Sequence, residues 1–155
     1  MKLKSAHVRA AVAVAISMCA SSAALAQFAK PDDAVKYRQG SFRLLGTHFG
    51  RLSAMAQGKV PFDAKAAAEN AEVMTMMSRL AFTAFPESSA VVEGTKAKPQ
   101  VWAERPKFDE SATTMQTAVM KLTAATRGGN FDEIKAAAGE AGKSCKACHD
   151  SYKEK

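Results

Sequence analysis

The stretch GKSCKACHDSYK, residues Gly142–Lys153, decides how the rest of the chain is read. It holds Cys145 and Cys148 three apart, with His149 directly after, the C-x-x-C-H pattern of covalent c-type haem attachment. The spacing has a physical reason. Positions i, i+3 and i+4 share one face of a helix. Two thiols placed so can bond the two vinyl groups along one haem edge, and His149 then projects towards the iron as axial ligand. The haem plane must stand roughly along this helix, inside a bundle. Other uses of the thiols fit less well. A thioredoxin-like pair opens a helix beside a sheet, whereas this pair closes a helix in a chain without strand-period segments. Zinc needs four ligands, and residues 27–155 offer two Cys and two His, with His48 far off on another helix. A disulfide between positions three apart on a helix is strained.

Upstream of the motif, the helix begins at Asn130, a good cap, with Asp132 and Glu133 in its first turn. Its apolar stripe is Phe131, Ile134, Ala138, Ala141, Cys145, Cys148 and Tyr152, running to about Lys153. Three more helices precede it. Pro31-Asp32-Asp33 opens one that runs to about Gln57 and stops at Gly58, with the stripe Phe42, Leu45, Phe49 and Leu52. Asp63 caps the second, about Ala64–Phe85, whose face includes Ala66, Asn70, Val73, Met77, Leu80 and Ala84 and which ends at Pro86. The third runs from about Phe108 to Arg127 on Phe108, Met115, Val119 and Leu122, and Gly128-Gly129 ends it. Residues 86–106 read as a long connection with a short helical turn around Trp102. The expected fold is all-α, an antiparallel up-down-up-down four-helix bundle with covalently bound haem.

The N-terminus reads as an export signal over residues 1–26. Lys2, Lys4 and Arg9 precede the apolar run Ala10–Ala20, too short to span a bilayer, and Ala24-Leu25-Ala26 forms an A-x-A cleavage site. Removing it changes the arithmetic. The whole chain carries +7, but residues 27–155 hold 19 Lys+Arg against 15 Asp+Glu, or +4. Without a basic block, that charge does not call for nucleic acid. No second apolar stretch reaches spanning length, so an exported, soluble product with no membrane span is expected. Two of the 3 Cys and two of the 3 His remain.

Only six residues follow His149, so a sixth iron ligand would have to come from an earlier helix. The methionines there are Met55, Met74, Met76, Met77, Met115 and Met120. Core filling is the simpler role for those on apolar stripes.

With its C-terminal Gly142–Lys153 block, the opening Tyr37-Arg38-Gln39 and four bundle-type helices, the sequence resembles cytochrome c′, the class II cytochromes c, over Gln27–Lys155. The resemblance implies one haem c per chain on Cys145 and Cys148, His149 as axial ligand, and homodimerisation through the first two helices. It implies that Arg38 and Gln39 contact the haem propionates, a role that suits the Arg fork. It places Phe42 as an apolar lid over the vacant iron face, Thr95 near the haem edge, and Lys153 beside the proximal imidazole. Family members often carry Arg at that last position, and Lys lacks the planar fork. Residues 31–54 contain no Met, which fits a five-coordinate iron. His48 is expected as a helix-surface residue rather than a ligand.

The expected function is that of a bacterial periplasmic haem protein that binds NO and CO and cycles Fe(III)/Fe(II) with an unidentified redox partner protein. The alternative is a plain six-coordinate or low-potential electron carrier without a gas-binding role. An enzymatic main role is not expected, because the distal segment lacks a His–Arg pair placed to cleave an O–O bond.

Overall fold

A computed structural model describes residues 27–155, and the expected export signal over residues 1–26 lies outside the described residues. Four long helices make the bundle: α1 (Pro31–Ala56), α2 (Ala64–Phe82), α3 (Arg105–Gly128) and α4 (Phe131–Tyr152). Between α2 and α3 the chain makes a 3-10 turn at Glu87–Ser89 and a one-turn helix at Gln100–Ala103. Among the described residues there is no strand, only an isolated antiparallel bridge between Ala97 and Lys153.

The helix ends follow local chemistry. Asp63 Oδ1 accepts from the Ala66 N–H at 3.0 Å, capping α2. Asn130 Oδ1 accepts from the N–H groups of Asp132 and Glu133 at 3.0 and 3.3 Å, capping α4. Gly129 sits at φ 75°, the left-handed conformation that stops α3 without a Cβ penalty. Pro106 lies in the first turn of α3 rather than in the connection, where its missing N–H costs nothing. α2 stops at Phe82, three residues before the expected Phe85, and α4 stops at Tyr152.

The main core runs down the bundle axis through Leu45, Leu52, Met74, Met115, Leu122 and Ile134. Each such side chain contributes roughly 1.5–3 kcal/mol on burial. The expected stripe of α1 faces this core, and those of α3 and α4 divide between it and a second apolar cluster that takes Phe108, Cys148 and Tyr152, while Phe131 at the start of α4 is exposed. That of α2 is turned by about one position. Ala67, Ala71, Met74, Ser78 and Ala81 are buried, whereas Ala66, Val73, Met77 and Leu80 are half-buried. Asn70 and Ala84 of the expected face are buried, but its bulky members are not, so bulk misled the periodicity. Two polar contacts tie α2 to its neighbours. Thr123 Oγ1 donates to the Ala71 carbonyl at 3.1 Å. His48 Nδ1 meets Asn70 Oδ1 at 2.8 Å. His48 is therefore a half-buried link between α1 and α2, not a surface residue.

α1 packs along α2, α2 along α3 and α3 along α4, while α1 and α4 meet only sparsely. At that seam Gly142 faces Phe49, and a Cβ there would come within 3.2 Å of the ring edge. The seam runs on to the cysteine turn of α4.

Candidate functional site

Cys145 and Cys148 project from the last turns of α4 as free, half-buried thiols. Cys145 packs on the main core. Cys148 packs on a second apolar cluster built from Phe85, Val101, Phe108 and Tyr152, with Phe42, Phe82, Ala97 and Trp102 at its margin. Burial pushes the Cys145 thiol up, and burial with the Cys145 charge pushes Cys148 up to about 11. Both are neutral thiols at pH 7, unlike the low-pKa pair of a disulfide oxidoreductase. His149 follows on the exposed side of α4. Partial burial and the Lys153 charge lower its pKa, against Asp150, which favours the neutral imidazole that binds metals.

The cluster beside Cys148 is a set of interlocked rings. Phe42 meets Phe82 edge-on at 5.4 Å, Phe82 meets Phe108 at 5.6 Å, and Phe108 meets Phe85 and Tyr152 at 4.9 and 5.3 Å. Phe42 packs on both clusters, whereas Phe49, the α1 ring that faces Gly142, packs on the main core alone.

Arg38, one helical turn before Phe42, is 3% exposed. Its Nη1 donates to the Ala84 carbonyl at 2.8 Å and to Ser89 Oγ at 2.7 Å. Its Nη2 donates to Thr95 Oγ1 at 2.7 Å and, at 3.4 Å, to the Ser89 carbonyl. The guanidinium also lies 4.5 Å over the Phe85 ring. These partners are neutral, and among the described residues no carboxylate is within ion-pair distance of Arg38. Burial lowers its pKa to about 10, so the charge persists at pH 7 without a counter-ion. Gln39 Nε2 donates to the Gly94 carbonyl at 2.9 Å, on the same loop. The structure thus brings Arg38, Gln39 and Thr95 together. It also engages all four Nη protons of Arg38 with the protein, which leaves Nε for a further acceptor.

Lys153 does not continue α4. It is the extended residue after the helix, with φ −118° and ψ 132°, and its exposed side chain stays near enough to lower the His149 pKa. Of the methionines, Met55, Met74 and Met115 are buried in the core, Met77 packs against it, and Met76 and Met120 are exposed. Sequence reasoning missed Ser89, which is fully buried and holds Arg38, and it missed Phe82, Phe85 and Trp102 as cluster members. Ser88-Ser89 gave only a loop signal, because the partner lies 51 positions away.

Among the described residues, no three His, Cys, Asp or Glu side chains converge on a bare metal ion. A haem brings its own four nitrogen donors and needs from the chain two thiols, one imidazole, an apolar wall and a cation for its acid edge. Those groups are present, and the unpaired charge of Arg38 matches a propionate, so the residues fit the group.

Fold and site together define a four-helix-bundle haem protein of the c type. Residues 33–153 match the family described as Cytochrome C′. The chain is 52% identical over 129 residues to cytochrome c′ of Rubrivivax gelatinosus, covering 83% of this chain and 100% of that one. It is 42% identical to that of Alcaligenes xylosoxydans xylosoxydans, covering 83% and 99%. The crystal structure of the Rubrivivax gelatinosus protein superposes with a TM-score of 0.80 over 83% of this chain and 100% of that chain. A nitric oxide complex of a leucine-to-isoleucine variant of the Alcaligenes xylosoxidans protein gives 0.78 at 41% identity, covering 83% and 100%. The chain belongs to the cytochrome c′ family, and its cofactor is covalently bound haem c.

Proposed function

We propose that this protein is a periplasmic haem protein with five-coordinate iron that takes up NO and CO and exchanges single electrons. When bound, the haem supplies an iron that can hold a diatomic gas and pass between Fe(III) and Fe(II). The chain's own residues set what reaches it. Cys145 and Cys148 would hold the haem to α4 through thioethers, and His149 would supply a nitrogen to its iron. Arg38, held in place by Ser89, Thr95 and the Ala84 carbonyl, would offer its charge to the propionates. Lys153 stays beside the proximal imidazole.

The observation that carries the five-coordinate reading is the α1 surface turned to the seam. Its side chains there include the Phe42 ring, packed on both apolar clusters, and Phe49, and residues 31–54 hold no Met. The one His of that stretch, His48, is bonded to Asn70. An apolar wall gives no hydrogen bond to bound O₂ or an anion, and an uncharged gas loses least in such a place. The NO complexes solved for the Alcaligenes xylosoxidans relative support this reading. One of them is a ferrous Arg-to-Lys variant. The export signal read in residues 1–26 and covalent haem support the periplasm, and no described helix is long and apolar enough to cross a membrane. Leu44 on α1 and Met76 on α2 are exposed, which supports a homodimer through these helices. The absorption spectrum of the ferrous holoprotein with and without CO tests the reading. A six-coordinate, CO-inert spectrum would return it to a plain electron carrier.

A further inference from the structure

A ladder of polar rungs joins α2 to α3. The hydroxyls of Thr75 and Thr123 meet at 2.8 Å. Gln116 Nε2 donates to the Ser78 carbonyl at 3.2 Å, and Arg127 Nη2 donates to Glu72 Oε1 at 3.4 Å. One rung differs in kind: Arg79 Nη2 donates to the thioether sulfur of Met120 at 3.8 Å. A thioether is a weak acceptor. Among the described residues no carboxylate lies within ion-pair distance of Arg79. Met120 is 44% exposed, whereas Met55, Met74 and Met115 are buried. Neither Arg79 nor Met120 belongs to the two apolar clusters beside the cysteines, so their exposure does not turn on the haem.

We propose that Met120 is a reversible oxidation site for hydroperoxides, and that Arg79 assists the oxidation and captures its product. The sulfur lone pair attacks the O–H oxygen of the hydroperoxide and the O–O bond breaks. The departing alkoxide takes the proton left on the transferred oxygen and leaves as an alcohol. Sulfur loses two electrons and becomes a sulfoxide, and the peroxide gains them. Arg79 N–H groups donate to the departing oxygen as charge develops on it, then to the sulfoxide oxygen. That oxygen accepts a charge-assisted hydrogen bond far better than a thioether does. In a core, the polar sulfoxide disrupts packing. Here it turns the weakest rung between α2 and α3 into a strong one. Met76 is exposed too, but among the described residues no donor reaches its sulfur, so it serves as the unassisted comparison.

The test treats the ferric holoprotein and its Arg79→Ala variant with tert-butyl hydroperoxide and follows each methionine by peptide mass spectrometry. The Soret band is recorded alongside, so that haem loss is tracked separately. Met120 sulfoxide is expected to form about tenfold faster than sulfoxide at Met55, Met74 or Met115. Arg79→Ala is expected to slow Met120 about threefold and to leave Met76 within about twofold. Methionine sulfoxide reductase is expected to return Met120 to the thioether. Oxidation of Met120 no faster than that of the buried methionines, an equal Met120 rate in both proteins, or a sulfoxide that the reductase leaves in place would overturn the proposal. A second measurement needs no oxidant. Met120→Gln puts an amide oxygen where the sulfoxide oxygen would stand, and it is expected to raise the urea midpoint when Arg79 is present and not in the Arg79→Ala background. Midpoints that move alike in the two backgrounds would overturn the capture by Arg79.

Discussion

Arg38 Nη2 donates to Thr95 Oγ1 at 2.7 Å across 57 positions of sequence, and with the bond from Gln39 Nε2 to the Gly94 carbonyl it ties α1 to the loop between α2 and α3. Ser89 and the Ala84 carbonyl hold the other nitrogen. Arg38 therefore has two tasks, pinning the loop and presenting a charge. Arg38→Ala leaves buried acceptors unpaired and is expected to cost about 2–4 kcal/mol in urea unfolding of the holoprotein. Thr95→Val, which removes one bond at a half-buried site, costs about 1 kcal/mol. Equal and negligible losses would show that the loop is held by something else.

Phe42 is the ring between the two apolar clusters, so truncating it opens the approach to the iron. Phe42→Ala is expected to raise the CO association rate by about tenfold or more, equivalent to about 1.4 kcal/mol of barrier. Flash photolysis measures it, and an unchanged rate contradicts the lid.

The two thiols act independently as tethers. Cys145→Ser or Cys148→Ser leaves one thioether, so haem stays with the chain through acid-acetone extraction. The double variant releases it. A pyridine haemochrome assay of the pellet reads the outcome.

Trp102 is the single tryptophan and packs on the cluster beside Cys148. Haem within that distance quenches indole emission. Chemical cleavage of the thioethers is expected to restore the emission and to lower Tm, since Arg38 then loses its counter-charge. Emission equally strong before and after cleavage would place the haem elsewhere.

The helices and their ends were legible because their causes are local: Asp63, Asn130 and Gly129 cap or stop the chain through neighbours within a few residues. The thiols and His149 were legible for the same reason. What sequence did not show depends on long-range neighbours. The face of α2 is turned by about one position, with the small Ala67, Ala71 and Ser78 buried and the bulkier Val73 and Leu80 only half-buried. His48 finds Asn70 22 positions on, and Ser89 reaches Arg38 51 positions back. The aromatic cluster draws Phe42, Phe85, Phe108 and Tyr152 from four separate stretches of chain, and no period joins them.

The most direct test of the central claim is the absorption spectrum of the ferrous holoprotein before and after CO. The account predicts a five-coordinate high-spin spectrum that CO converts to a six-coordinate low-spin one. A ferrous spectrum already six-coordinate and unmoved by CO would contradict it.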